Sequence, residues 1–375
     1  MLLPRFRQAR TAALIVALAP LLGCAERCLA QVLEPVPFEG LAAPPVPGAD
    51  AGADQPTDPQ AWRIQTIAIP ETPKHIFGTG ALIDLNRVTI ETESGAWYRL
   101  ADCASGLCAE LVTSPHVLEQ LPTGALPGSH VAVGQHRIAR AWLAEPTMRL
   151  QGTTLGGAVA GALVVEDRTA SSYRIDLGIA EAFEDRRPRI ADLGPDHLDT
   201  VLVVKSSEDG GASLVAVGLT GEGLLQVLAE SEPIGQPRGW LNPIGVADFT
   251  ASGEPAIALV RTPDADGTLQ ILILGDHAFS TRFSIPNVSN HVPGTDLMEM
   301  AVIADLDGDG LANIAVPDAS RQRVRILSFA HGQVAEPAAI DLPAPIATEM
   351  VGVAAAGKRP QLLMGLADGQ LVLLH

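Results

Sequence analysis

The sequence predicts an all-β fold assembled from repeated strand units, and three observations carry that prediction. From Ala61 onward, apolar β-formers alternate with short polar turns, and no long stretch has helical periodicity. The chain also repeats itself. Residues 247–258 lie without a gap on the stretch beginning at Ala304, which places Asp248 on Asp305, Gly253 on Gly310 and Ile257 on Ile314; residues 191–201 follow with one deletion. Finally, each of these loops is followed by the same strand, turn and strand: 201–203 then 214–216, 257–259 then 271–273, 314–316 then 325–327. A repeat of roughly 57 residues suits a four-stranded blade with generous loops, and a closed series of such blades is a β-propeller.

Taken in chain order, the units begin with residues 86–100, which lie gapless on residues 136–150. Another hairpin runs from 162–164 to 175–177, and the chain ends on a hairpin of 362–364 and 371–373. These segments make about seven units, although the third begins so soon after the second that six is also tenable. The last unit stops at His375 after three strands, while residues 62–69 stand alone ahead of the first. That segment is expected to supply the outer strand of the last blade and so close the ring, removing an open edge.

One loop carries metal chemistry. Asp305, Asp307 and Asp309 stand at every second position, Gly310 follows as a turn residue, Leu311 offers its backbone carbonyl and Asn313 completes the set. This spacing lets a short loop wrap oxygens around a hard cation. An EF-hand would have a bidentate Glu where Val316 stands, and the apolar runs 300–303 and 314–316 read as strands. An Asp-x-Asp-Gly-Asp-Gly loop between strands resembles the FG-GAP or VCBS repeat of calcium-binding β-propellers, including the head of integrin α chains. The resemblance implies a structural calcium between the first and second strands of the next-to-last blade, with affinity of about 10⁻⁴ to 10⁻³ M as in other extracellular modules. Among the degenerate copies, Asp192, Asp196 and Asp199 keep enough oxygens for a weaker site, whereas Asp248 with Ser252 and Glu254 is poorer. In the last unit residues 355–359 replace the acids with Lys358 and Arg359.

The composition bounds the partners. A net charge of -18 over 375 residues, with no basic run after the N-terminal region, disfavours nucleic acid and anionic membrane surfaces. Residues 1–30 read as an export signal: Arg5, Arg7 and Arg10 precede an apolar run too short to span a bilayer. Two cleavage sites compete, a lipoprotein box at 21–24 that would lipidate Cys24 and an ordinary site after Ala30. Residues 31–60, rich in Pro and Ala, are expected to form an extended linker ahead of the domain at 61–375. The protein is thus expected in the periplasm or cell envelope, touching membrane only through a lipid anchor, with secretion as a further outcome. Cys103 and Cys108 bracket four residues between two strand segments, which suggests a disulfide at a hairpin mouth; no second cysteine pair follows to complete a zinc site.

Other constellations are weaker. The nine histidines are scattered singly and are expected on the surface or in turns, with His197 in a degenerate loop as the one candidate ligand. Gly157 and Gly161 have small-x-x-x-small spacing, which an inner strand crowded near the axis would also want. No Gly-x-Ser-x-Gly elbow occurs. The reading is a non-enzymatic module binding a protein or glycan, or a folded accessory subunit of an envelope complex. The alternative is a carbohydrate-active enzyme such as a polysaccharide lyase, whose base would come from Lys205, Lys358, Tyr98, Tyr173 or Lys74, and no two of these form an obvious pair.

Overall fold

The computed structural model describes residues 61–375 apart from 79–81, 104–105, 115–119, 151, 194–198 and 356. The signal, Cys24 and the linker therefore lie outside the described residues, as do Asp196 and His197. A lone strand, β1 (Ile64–Ile67), comes first. Blade 1 follows with β2 (Pro73–Phe77), β3 (Thr89–Thr92), β4 (Trp97–Cys103) and β5 (Gly106–Val112). Blade 2 holds β6 (Ala132–Val133), β7 (Ile138–Thr147), β8 (Val159–Asp167) and β9 (Ser172–Asp176). After the short β10 (Glu181–Phe183), blade 3 holds β11 (Arg189–Asp192), β12 (Asp199–Ser207), β13 (Gly211–Leu219) and β14 (Leu225–Glu230). Blade 4 holds β15 (Leu241–Ala247), β16 (Ala256–Arg261), β17 (Thr268–Leu274) and β18 (Phe279–Pro286). Blade 5 holds β19 (Val302–Ala304), β20 (Asn313–Pro317), β21 (Arg323–Ser328) and β22 (Ala335–Asp341). Blade 6 has only β23 (Ile346–Val353), β24 (Gln361–Leu366) and β25 (Leu371–Leu374) of its own.

Ring closure occurs where it was expected. The order β1-β25-β24-β23 makes β1 the outer strand of blade 6, with Ile64 opposite Leu374 and Ile67 opposite Leu371. Arg63 and His375 exchange both backbone N–H···O bonds, at 2.8 and 3.0 Å. Arg359 stands in the unit that lost its acidic loop. Its guanidinium lies 4.0 Å from the Trp62 ring centroid and donates to the Ala61 carbonyl at 3.1 Å, so the cation grips the start of the closing strand.

The blade count resolves to six among the described residues, because the third sequence unit is half a blade. Its hairpin is β8 and β9, which complete the sheet begun by β6 and β7. The gapless match of 86–100 on 136–150 places Gly95 on Glu145, and both have positive φ, 84° and 60°. In blade 1 that residue turns the chain from β3 into β4; in blade 2 β7 continues past it and still pairs Thr147 with Val159. Between blades 2 and 3, β10 bonds to both β8 and β12 and fuses the two blades into one nine-stranded sheet.

Middle strands are covered on both faces by neighbouring blades, which explains their unbroken apolar runs. Alternation decides which neighbour each side chain meets. Val201, Val203, Val215 and Val217 pack toward blade 2 with Leu143 and Leu163, while Leu202, Val204, Leu214 and Ala216 pack toward blade 4 with Ile257 and Leu259. Outer strands such as β18 and β22 are mostly exposed.

The Gly157 and Gly161 pair does not sit on an inner strand. Gly157 is in a turn with φ of 64°, and Gly161 is on β8, the third strand of blade 2. A Cβ at position 161 would overlap the Arg149 guanidinium, which is pinned by the Gly178 carbonyl at 2.8 Å and by Glu145 at 3.0 Å. Gly161→Ala should therefore cost about 1–3 kcal/mol, read from the denaturation midpoint, by displacing that ion pair. A wild-type midpoint would mean that Arg149 has room to move.

Candidate functional site

The Asp305 loop joins β19 to β20, the first and second strands of the fifth of six blades. Its turn is drawn by Asp305, whose Oδ1 accepts from Gly308 N at 2.7 Å and Oδ2 from Gly310 N at 3.0 Å. Gly308 and Gly310 have φ of 83° and 85°, the left-handed region that glycine enters without strain. Carboxylate oxygens of Asp305, Asp307 and Asp309 come within 4.8 Å of one another, with Asp307 and Asp309 exposed and Asp305 half-buried. Partial burial, and then the neighbouring Asp309 and Asp305 carboxylates, hold the Asp307 carboxyl above the ordinary Asp range. A cation at this point would relieve that repulsion, so the donor set fits a hard divalent ion.

One expected ligand sits differently. Asn313 is fully buried, and its Oδ1 accepts from Leu306 N at 2.6 Å and Asp307 N at 3.2 Å. With both lone pairs occupied, and its amide donating to Asp307 Oδ2 at 3.1 Å, Asn313 braces the loop from beneath. Leu311 shows its N–H, which donates to Asp309 Oδ1 at 2.8 Å.

The repeated loop of blade 4 has the same skeleton without the extra acids. Asp248 accepts from Gly253 N at 2.7 Å, five residues on, as Asp305 does from Gly310. It also accepts from Thr250 N and Ser252 N, both at 3.2 Å. Burial pushes the Asp248 carboxyl up, but these backbone donors outweigh it and hold the group below the ordinary range. The loop is satisfied by its own amides. In blade 3, Asp192 and Asp199 are register partners across β11 and β12. The buried Asp199 carboxylate reaches into blade 2, accepting from Ile138 N at 2.8 Å, His136 N at 2.9 Å and Gln135 N at 3.4 Å. It pins two blades together, which is a structural role.

Cys103 and Cys108 form a disulfide with Cα atoms 5.9 Å apart, and Glu110 stands beside the sulfurs. Of the residues considered as a lyase base, three are engaged by neighbouring acids. Tyr98 donates to Glu71 Oε1 at 3.4 Å, Tyr173 to Asp167 Oδ2 at 3.1 Å, and Lys205 lies 2.9 Å from both Glu181 and Glu230.

A charged segment at 184–189, which no sequence motif marks, packs into the interior. Asp185 is fully buried and accepts from Arg186 N at 2.8 Å, Arg187 N at 3.0 Å and Val204 N at 3.1 Å, while Arg189 pairs with it at 3.0 Å. Arg186 donates to Ala158 O and Gly156 O of the β7–β8 connection, the Glu184 carbonyl accepts from the Trp240 indole, and Arg187 ion-pairs with Glu299 next to blade 5. One short segment thus touches four blades. His291 was expected on the surface, yet it is fully buried between Asp264 Oδ1 at 2.7 Å and Thr295 O at 3.0 Å.

Glu184 is 4% exposed and accepts from Thr154 N at 2.5 Å. Desolvation raises its carboxyl above the ordinary Glu value, against the opposing effect of Ser206 and the nearby amides. A raised folded-state affinity for the proton means that this group favours the fold when protonated and disfavours it increasingly as pH rises through the unfolded value. Glu184→Gln should raise the melting temperature at neutral pH and flatten its fall as pH rises above the ordinary Glu range. A lower melting temperature at pH 7 would show that the charge itself is needed.

No family model matches the chain, and no curated protein matches it. Among solved structures, the WD40 domain of coronin from Toxoplasma gondii is similar to this chain with a TM-score of 0.43 at 9% identity, over 84% of this chain and 86% of that one.

Proposed function

We propose that the chain is a calcium-binding β-propeller of the FG-GAP/VCBS kind that acts outside the cytoplasm as a non-enzymatic module for a protein or glycan of the cell envelope. The observation that carries this reading is the convergence of Asp305, Asp307 and Asp309 on a loop whose backbone is already folded by Asp305 and Asn313. Calcium held by these acids, with the Leu311 carbonyl and water completing its shell, would lock β19 to β20 and stiffen the surface beside them. Export is supported by the arginines and apolar run of residues 1–30. The hydrogen bonds that occupy Tyr98 and Tyr173 and the two acids around Lys205 support binding over lyase chemistry.

Calcium titration by calorimetry, paired with thermal melts, tests the site. With Kd in the expected range, about 10 mM calcium should stabilise the wild type by about 1.4–2.7 kcal/mol. Asp307→Ala should abolish that gain, with the metal-free melt set by the loss of the Asn313 amide contact against the relief of repulsion from Asp305 and Asp309. A calcium response that survives in Asp307→Ala refutes the assignment. For the partner, immobilised protein would be loaded with envelope extract in calcium and eluted with chelator; release of a defined protein or glycan supports the module. Rising product absorbance on acidic polysaccharide would instead establish the lyase.

A further inference from the structure

The closing strand is held at three places, and the third involves the disulfide. At its start Arg359 grips Trp62 and Ala61; along its length β1 pairs with β25. At its end the backbone of Ala68 makes a parallel bridge to Cys108 itself, on the outer strand β5 of blade 1. Leu107 and Ala109, on either side of Cys108, share one apolar cluster with Ile67, Ile69, Leu371 and Leu373, so the seam between blades 6 and 1 passes through this hairpin.

Strand β5 is the outer edge of the blade 1 sheet, with β4 as its ladder partner and the Ala68 bridge on its other side. The cysteines are not register partners: Cys103 faces Gly106 and Ala101 faces Cys108, so the disulfide crosses the hairpin diagonally and ties the end of β4 to the residue that meets β1. A loop this short gains little from unfolded-chain entropy, so the bond acts chiefly by fixing a local contact. Both cysteines are partly exposed, within reach of a small thiol.

We propose that the Cys103–Cys108 disulfide is a redox latch on ring closure, and that its reduction by a dithiol loosens the N-terminal strand while the other blades stay folded. In the step, one thiolate of the reductant attacks a cysteine sulfur and the S–S bond breaks. The second thiolate then displaces the mixed disulfide, leaving an oxidised reductant and two cysteine thiols, with two electrons and two protons transferred. The latch stands independently of calcium at blade 5.

Hydrogen exchange on the full chain tests it, comparing oxidised protein, protein reduced with dithiothreitol, and the Cys103→Ser/Cys108→Ser variant, which separates loss of the bond from other effects of the reductant. The amides of Gln65 and Ile67, opposite Leu373 and Leu371, should exchange about tenfold faster in the latter two, while those of β12 and β13 keep their rates. Unchanged rates at Gln65 and Ile67 would overturn the proposal, whether or not β5 speeds up. Uniform acceleration across all blades would overturn it equally, because the bond would then be a general staple.

Discussion

Deleting residues 61–70 should lower the melting temperature by about 10 °C or more. The segment contributes β1, whose Ile67 is 1% exposed and whose neighbours Trp62 and Ile69 pack against the core clusters of blades 5, 6 and 1. Burial of one such isoleucine contributes about 1.5–3 kcal/mol, and each ladder hydrogen bond about 0.5–1.5 kcal/mol. Four register pairs to β25 and the Arg359 contact with Trp62 bring the sum to about 5 kcal/mol or more. Loss of β1 also bares the outer edge of β25, a buried strand of Leu and Val that keeps only β24 as a partner, so the truncated protein should self-associate. Differential scanning calorimetry with light scattering reads both effects. An unchanged melt would mean that the ring does not depend on this closure.

Asp185→Ala should be the most damaging single substitution, at about 3–5 kcal/mol. The carboxylate satisfies three backbone N–H groups and the Arg189 guanidinium in a position with no access to solvent. Truncation strands three backbone donors and leaves the half-buried Arg189 guanidinium with the Arg187 carbonyl at 2.8 Å in place of its carboxylate. Because the same segment joins blade 2 to blade 3 and reaches Trp240 and Glu299, the loss should spread beyond its own turn. Asp185→Asn, which keeps one acceptor oxygen, should lose less. Urea denaturation separates the two, and equal midpoints for Ala and wild type would show that Arg189 and the amides find other partners.

Much of the architecture was legible because its signals are local. The hairpins 201–216, 257–273, 314–327 and 362–373 are apolar runs around a turn, and each forms as read. The Asp248 and Asp305 loops align because both place a carboxylate five residues before a glycine whose N–H it accepts. Even closure was visible, as a strand missing at one end of the chain and spare at the other.

Where the reading departed from the structure, a distant partner decided. Asn313 has the residue type and spacing of a ligand, but the N–H groups of Leu306 and Asp307 claim its oxygen. Asp199 stands in an acidic loop, yet the amides of residues 135, 136 and 138 take its carboxylate. The hairpin at 162–177 looks like a unit of its own until β7 pairs with β8. His291 and Asp185 carry no mark of burial, because what buries them lies in other blades. The sequence by itself determined strands, turns, the acidic loop and the spare closing strand, since side-chain period and turn chemistry act within a few residues. Only the tertiary structure decided the six blades, the buried charges and the seam at Ala68 and Cys108, since each depends on groups brought together from far along the chain, as Ile64 is to Leu374.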